Sequence, residues 1–199
     1  MTAGIRQLFS DVTVYSIALV LRRALSFATL PVLTRFLSVR ELGVLALLGT
    51  VHELLTVAFH LGVPNAAESF YYDTRTPAER RRLFGTLLVF LLGASFLAAA
   101  LLIAVGPSLW RRLVGDVPFH PYVSLTVATV FLSGMGVLPR SLFRVTNRIP
   151  RYAALALAHG VLAAGLTVVL VVGAGLGVLG TVLGESLTAL VFFSSSPVA

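Results

Sequence analysis

Residues 14–33, VYSIALVLRRALSFATLPVL, form a stretch that is long and apolar enough to cross a bilayer, yet two adjacent arginines lie near its middle. A helix needs about 20 apolar residues to span the hydrocarbon core. An arginine at the centre of such a helix costs about 2.5–3.5 kcal/mol on insertion scales, so it normally faces a bundle interior or a wet cavity. Arg22 and Arg23 therefore predict both a transmembrane helix and a polar interior.

The composition of the whole chain favours a polytopic membrane protein. Of its 199 residues, 57% are hydrophobic and 12% are charged, whereas a soluble domain is about half apolar and about a quarter charged. The net charge is +7 and the arginines punctuate apolar blocks, which indicates membrane topology rather than a nucleic-acid surface. The absence of cysteine excludes disulfides and thiol chemistry. We expect no cofactor, no metal ion and no nucleic-acid partner.

Long apolar blocks predict an all-α membrane protein with six transmembrane helices. The predicted spans are residues 14–33, 42–63, 84–105, 122–142, 152–173 and 176–193. Together they form one six-helix lobe over residues 14–193. Residues 1–13 are an N-terminal segment without the features of a cleaved signal peptide, and residues 194–199 are a short tail. Proline, glycine and charged residues mark the connections, among them 64–82 and 106–121.

The distribution of arginines predicts the orientation. Counted on alternate sides of the spans, nine arginines share the side of the N-terminus: Arg6, Arg75, Arg80, Arg81, Arg82, Arg140, Arg144, Arg148 and Arg151. Four lie on the other side: Arg35, Arg40, Arg111 and Arg112. Cytoplasmic loops carry the excess of basic residues, so we predict that both termini are cytoplasmic.

Polar residues recur on one face of the first predicted span. Tyr15, Arg22, Ser26 and Thr29 are spaced by seven, four and three residues, which places them on one helical stripe, and Arg23 flanks it. We predict that Arg22, Arg23, Ser26 and Thr29 line a cavity that binds an anionic substrate. Arginine suits phosphate because its planar guanidinium stays charged and donates two parallel hydrogen bonds.

The second predicted span carries a similar stripe of titratable residues. His52, Thr56 and His60 recur every four residues, and Glu53 adjoins them. One interpretation is a buried pair of Glu53 with an arginine of the first span that fixes helix packing only. The other is a cationic, partly hydrated cavity, in which His52, Glu53 and His60 are candidates for ion coupling or for the counter-ion.

Enzyme signatures are incomplete in this sequence. Residues 52–56, HELLT, begin like the zinc-protease pattern H-E-x-x-H, but Thr56 stands in place of the second histidine. The chain also has no lysine, and therefore no Ser–Lys dyad and no phosphate loop of the G-x-x-x-x-G-K type. We expect that the protein is not an enzyme. His159 and Glu185, isolated on the last two spans, are interpreted as packing residues.

Residues 31–51, PVLTRFLSVRELGVLALLGTV, carry a family resemblance. They resemble the polysaccharide (O-antigen type) flippases of the multidrug/oligosaccharidyl-lipid/polysaccharide exporter superfamily, whose first span ends in apolar-T-R-x-L-S before an acidic residue and glycine. The matching residues here are Thr34, Arg35, Leu37, Ser38, Glu41 and Gly43. Val39 and Arg40 depart from the usual proline and polar or acidic residue. Weaker matches follow in the expected order: LGVPNAAESFYYD, FRVTNRIPRYA and GVLGTVLGESLTALVFF.

The resemblance implies an all-helical transporter that moves a polyprenyl-diphosphate-linked oligosaccharide across the bacterial inner membrane by alternating access. By position, Arg22 and Arg23 would meet the diphosphate. The family has two six-helix lobes, whereas this chain has six predicted spans. We therefore expect either a truncated first lobe or two copies that rebuild the cavity. The implied partners are the lipid-linked oligosaccharide, membrane lipids, and a second lobe or a second copy of the chain.

Three other functions stay open on the sequence alone. One is a non-transporting membrane scaffold, which would have little reason to retain paired charges inside the membrane such as Arg22 and Arg23. A multidrug exporter of the same superfamily is expected to have an acid-lined cavity, and the Arg22/Arg23 pair argues against it. A membrane-embedded glycosyltransferase or polyprenyl-phosphate transferase is expected to cluster acidic metal ligands at one membrane face, and no such cluster is evident in the sequence.

Overall fold

The computed structural model describes residues 2–115, 117–138 and 149–194, and the fold within these ranges is all-helical. Its helices are α1 (Thr2–Phe36), α2 (Val39–His60), α3 (Val63–Tyr71), α4 (Pro77–Leu113), α5 (Ser124–Met135), α6 (Ile149–Val168) and α7 (Gly177–Ser194). The segment Phe119–Val123 precedes α5 and is kinked at His120, whose backbone is extended (φ −97°, ψ 131°). A π-helical turn, Val169–Gly173, follows α6. Outside the described residues lie Arg140, Arg144 and Arg148, the end of the fourth predicted span, and residues 195–199 of the tail.

Within the described parts of the chain, three helical segments are long and apolar enough to cross a membrane: Val39–His60, Pro77–Leu113 and Ala153–Gly173. Gly177–Phe192 is apolar but shorter. Large apolar side chains also cover outer faces of the helices: Phe27 is 71% exposed and Leu97 is 72% exposed. Soluble monomers rarely expose large contiguous apolar patches. The structure therefore supports a helical membrane protein, while the count of six spans stays a prediction.

Capping boxes determine where α2 and α4 begin. The Ser38 hydroxyl accepts a hydrogen bond from the Glu41 N–H at 3.3 Å, and the Glu41 carboxylate accepts one from the Ser38 N–H at 2.8 Å. Thr76 and Glu79 make the same reciprocal pair before α4. Each box satisfies N–H groups that the first helical turn leaves without intrahelical partners. The L-S-x-x-E part of the family-like stretch is therefore a helix cap between α1 and α2.

Two segments predicted as connections are partly helical. Residues 64–82 include most of α3 and the first turns of α4, and residues 106–121 include the last turns of α4. Proline, glycine and charge predict these connections, but the same signals are compatible with a helix at some positions. Pro77 lies in the first turn of α4, where a backbone N–H would have no partner within the helix, so the missing N–H of proline costs no hydrogen bond. Pro107 lies inside α4 without ending it. Helix α1 likewise begins at Thr2, inside the predicted N-terminal segment.

The packing of α6 and α7 depends on two glycines one turn apart. A Cβ on Gly180 would lie 3.0 Å from the carbonyl carbon of Leu170, and one on Gly184 would lie 2.9 Å from the backbone nitrogen of Thr167. Small residues at this spacing let helix backbones approach closely in membranes. Helix α7 also packs on α5, and α1 packs mainly on α6. Helices α1 and α2 make few contacts although they are consecutive, because a cavity lies between them.

Candidate functional site

The cavity has a volume of about 970 Å³ and lies inside the helix bundle. Residues of α1, α2, α3, α5, α6 and α7 line it. Its volume is near the upper end of the range of about 300–1,000 Å³ that is usual for ligand pockets. The cavity is therefore large enough for a substantial polar ligand.

All seven residues predicted for the site lie on the cavity wall: Arg22, Arg23, Ser26 and Thr29 on α1, and His52, Glu53 and His60 on α2. Thr56 completes the α2 stripe on the same wall. Within each stripe the side chains share one helix face, because they repeat with the period of a helix. The two faces are turned toward the same cavity. The structure thus brings these residues together around one cavity, and their chemical roles stay predictions. The side chain of Tyr15 lies outside the described part of the structure.

Helix α6 supports the position of Arg22. A Cβ on Gly160 would lie 3.6 Å from Cγ of Arg22, so the aliphatic part of the arginine passes over a position without a side chain. Arg22 and Arg23 are both exposed residues on the cavity wall. Among the described residues, neither guanidinium forms an ion pair with Glu53 within 4.0 Å. The arrangement favours guanidiniums that bind a ligand over a pair that fixes packing.

The hydroxyl groups of the two stripes already donate to their own helices. Ser26 donates to the carbonyl of Arg22 at 3.4 Å, Thr29 to that of Ser26 at 2.8 Å, and Thr56 to that of His52 at 2.8 Å. A hydroxyl has one proton to donate but two lone pairs to accept with. On the α1 wall, therefore, the arginines supply donors and the hydroxyl oxygens supply acceptors.

Part of the cavity wall was not predicted from the sequence. His159 and Glu185, interpreted as packing residues, both line the cavity, as does Glu68 of α3. The ring of His159 does pack, since its centroid lies 5.0 Å from that of Phe192. One signal could have identified Glu185. Placing a carboxylate inside a membrane costs free energy, so a lone carboxylate in an apolar span usually marks a functional position.

The walls formed by α2 and α7 carry the acidic part of the cavity. Glu185 shares the cavity wall with two α2 side chains, His52 and Glu53. Thr181 lies one turn before Glu185 on the same face of α7. Thr181 is only 8% exposed, and its Oγ1 has no hydrogen-bond partner among the described residues. Nδ1 of His52 is likewise buried and has no hydrogen-bond partner among the residues that the structure describes.

Buried polar atoms usually have hydrogen-bond partners. The two unpartnered atoms, on α2 and α7, therefore indicate a place where a polar ligand can bind. The described residues contain no group of three or more histidine, cysteine, aspartate or glutamate side chains that could hold a metal ion. The cavity wall presents guanidiniums on α1 and presents carboxylates, imidazoles and hydroxyls on other helices, and each of these groups can bind a polar ligand.

Comparison with known proteins gives one match. The sequence model of a family described as "Polysaccharide biosynthesis protein" matches residues 32–198, which is most of the chain. No curated protein and no solved structure matches this chain. The match begins at Val32, so it includes the Ser38–Glu41 helix cap and Glu185 but not Arg22 or Arg23.

Proposed function

The chain belongs to this family of polysaccharide biosynthesis proteins, and we propose that within it the protein is the six-helix lobe of a flippase. The substrate is a polyprenyl-diphosphate-linked oligosaccharide, moved by alternating access for cell-surface polysaccharide biosynthesis. The observation that carries the proposal is the adjacent pair Arg22 and Arg23 on the wall of a cavity inside an apolar bundle. The proposal includes no enzymatic step.

The chemistry of the α1 wall suits such a substrate. Each guanidinium presents five N–H donors in a planar fork that matches phosphate oxygens. At an effective dielectric constant of about 20, two unit charges 4 Å apart interact by about 4 kcal/mol, so a diphosphate gains substantially from two adjacent cations. The hydroxyl groups of Ser26 and Thr29 already donate hydrogen bonds to backbone carbonyls, so their oxygens can accept hydrogen bonds from sugar hydroxyls.

The proposal also specifies location and partners. The excess of arginines on the side of the N-terminus supports a bacterial inner-membrane protein with both termini in the cytoplasm. Its partners are the lipid-linked oligosaccharide and membrane lipids, together with a second six-helix lobe or a second copy of this chain. Alternating access requires two bodies that move relative to each other around the bound substrate.

Binding of farnesyl diphosphate, a short polyprenyl diphosphate, tests the proposal. The protein in lipid nanodiscs is titrated with this probe as wild type and as Arg22→Gln/Arg23→Gln. A hydrogen bond to a charged group contributes about 1.5–3 kcal/mol, so we expect the double variant to bind at least about tenfold more weakly. Arg35→Gln is the matched control, because it removes the same charge from an exposed position at the end of α1 outside the cavity wall.

Two results would contradict the proposal. One is an unchanged affinity for farnesyl diphosphate in the double variant, provided that its helix content and elution volume match those of wild type. The other is an equal loss of affinity in Arg35→Gln, which would show a general charge effect. If the double variant does not fold, Arg22→Gln alone is measured against the same control.

One observation favours a second candidate, a multidrug exporter of the same superfamily. Among the described residues, the cavity wall carries three carboxylates: Glu53, Glu68 and Glu185. Carboxylates attract lipophilic cations, which are typical multidrug substrates. Titration with tetraphenylphosphonium separates the two functions: tight binding of this cation, with no binding of farnesyl diphosphate, would favour the exporter.

A further inference from the structure

A cluster of arginines lies at the junction of α3 and α4, away from the cavity. Residues 73–82 contain four arginines and two carboxylates, those of Asp73 and Glu79. None of these four arginines lines the cavity wall, so the function proposed above makes no use of them. We call the segment from Phe70 to Arg82 the basic corner.

The position of the basic corner in the chain places it at a membrane surface. Arg80, Arg81 and Arg82 directly precede the apolar part of α4, and α4 is long and apolar enough to cross a membrane. Phe70 and Tyr72 are exposed, Tyr72 by 74%. Aromatic rings favour the headgroup level of a bilayer, and basic residues beside a transmembrane helix are attracted to anionic headgroups. The basic corner therefore lies at the level of lipid headgroups.

Contacts between α3 and α4 hold the basic corner in one shape. The guanidinium of Arg80 lies 4.6 Å from the centroid of the Tyr71 ring, which is a cation–π contact. Nε of Arg80 donates to Oγ1 of Thr74 at 3.3 Å, and that hydroxyl donates to the carbonyl of Tyr71 at 2.7 Å. The ring of Tyr71 also contacts that of Phe84, with 6.3 Å between the centroids. The end of α3 is therefore bound to the start of α4.

The loop between the two helices folds back on α4. The backbone N–H groups of Arg75 and Thr76 donate to the carboxylate of Glu79 at 2.9 Å and 3.3 Å. These bonds hold Arg75 beside the first turn of α4, which leads directly into Arg81 and Arg82. The charge of Glu79 is thus engaged in the cap of the helix, as that of Arg80 is engaged with Tyr71.

Three guanidiniums of the basic corner stay available for a ligand: Arg75, Arg81 and Arg82. All three residues are exposed, and none forms an ion pair within 4.0 Å with another residue that the structure describes. Since Glu79 is engaged in the cap, Asp73 is the carboxylate that this segment sets against them. A guanidinium can donate two parallel hydrogen bonds to a phosphate group. The corner therefore presents an excess of phosphate-binding groups at the headgroup level.

We propose that the basic corner is a binding site for an anionic phospholipid, with Arg75, Arg81 and Arg82 at its headgroup and with Phe70 and Tyr72 beside its glycerol and upper acyl chains. The phosphate supplies the negative charge that the arginines lack, and the acyl chains cover the two exposed rings. A phospholipid is the occupant because phospholipids form the bulk of a bilayer and the corner is open to it. The proposal uses no residue of the cavity, so it stands apart from the proposed function.

A tryptophan in the basic corner can report which lipid lies there. Trp110 is the only tryptophan of the chain, so Tyr72→Trp combined with Trp110→Phe leaves one tryptophan, at the corner. This reporter protein, in phosphatidylcholine nanodiscs, is quenched with phosphatidylglycerol that carries a nitroxide near the top of one acyl chain. The equally labelled phosphatidylcholine gives the reference. One basic residue near a membrane surface strengthens the binding of anionic lipid about fivefold, so we expect phosphatidylglycerol to be preferred at least about tenfold.

Two triple variants of the reporter protein assign the preference to the corner. The first replaces its three available arginines and should abolish the preference: Arg75→Gln/Arg81→Gln/Arg82→Gln. The matched control replaces three exposed arginines that the sequence predicts on the other side of the membrane, and should retain it: Arg40→Gln/Arg111→Gln/Arg112→Gln. Both variants lose the same charge, so a difference between them is a property of the corner.

A third variant separates a shaped site from loosely held charges. Tyr71→Leu keeps every arginine but removes the ring beneath Arg80. If the contacts of the corner position its guanidiniums, the preference for phosphatidylglycerol should fall at least about twofold, which is the weakest effect of an exposed cation–π contact. An unchanged preference would overturn the shaped site.

Three other results would also overturn the proposal. One is equal quenching of the reporter protein by the two labelled lipids. Another is a preference that the corner variant keeps, or that the control variant loses equally, because either would describe the field of the whole protein. The third is displacement of labelled phosphatidylglycerol by less farnesyl diphosphate than unlabelled phosphatidylglycerol, which would assign the corner to the transported lipid.

A second measurement applies if the reporter protein does not fold. The melting temperature of the otherwise unchanged chain is then compared in nanodiscs with and without phosphatidylglycerol. A rise that the corner variant loses and the control variant keeps supports the site, and no rise overturns it.

Discussion

Replacing Gly184 with alanine should separate α6 from α7, and the structure gives the size of the effect. The new Cβ would lie 2.8 Å from Oγ1, 2.9 Å from the backbone nitrogen and 3.2 Å from Cα of Thr167, whereas ordinary contacts begin at 3.4 Å. The hydroxyl can rotate away but the backbone cannot, so the helices must move apart. Overpacking of this kind destabilises a protein by about 1–3 kcal/mol, and the better helix propensity of alanine offsets about 1 kcal/mol of that loss.

Gly165→Ala is the matched control, because a Cβ on Gly165 of α6 would meet nothing within 4 Å. It gains the same propensity, so the difference in unfolding free energy between the two variants isolates the clash and should be about 1–3 kcal/mol. The measurement is reversible unfolding in mixed micelles by titration with SDS, followed by circular dichroism. Equal stability of the two variants would refute the close contact of α6 and α7 that positions Glu185.

Two further predictions concern single hydrogen bonds, measured by the same titration. Ser38→Ala removes the cap of α2 and should cost about 1 kcal/mol, whereas Thr50→Ala, whose exposed hydroxyl only donates within its own helix, should change stability by less than about 0.5 kcal/mol. Ser95→Ala removes the buried bond from α4 to the carbonyl of Phe59 in α2, 2.9 Å long, and should cost about 0.6–1.7 kcal/mol. Its control, Ser108→Ala, removes an exposed hydrogen bond inside α4. If both variants lower the unfolding free energy equally, the buried bond between α4 and α2 contributes nothing specific.

The all-helical fold was predictable because apolar block length and helix caps are local properties. The S-x-x-E and T-x-x-E patterns at Ser38 and Thr76 form the capping boxes that their sequences indicate. Prolines were the misleading local signal, since Pro107 lies within α4. Neighbouring helices and side chains in a membrane can satisfy the backbone that a proline disrupts, and a single sequence does not show those neighbours.

The site was predictable where its residues repeat along one helix and unpredictable where helices meet. Arg22, Ser26 and Thr29 face one cavity because four- and three-residue spacings determine a face. Glu185 has no such repeat on α7, and its place beside His52 and Glu53 depends on contacts between distant parts of the chain. Those contacts arise from the close approach at Gly184, which only packing reveals.

The residues proposed to bind the diphosphate lie outside the region that the family match covers, and this affects what family membership implies. The family match begins at Val32 and includes Ser38 and Glu41, which cap a helix. They maintain the junction between α1 and α2 and do not line the cavity. Arg22 and Arg23 lie before the matched region. Two members of the family can therefore share the fold and the cap yet differ in the charges of the cavity, so the charged ligand must be established by binding to this chain.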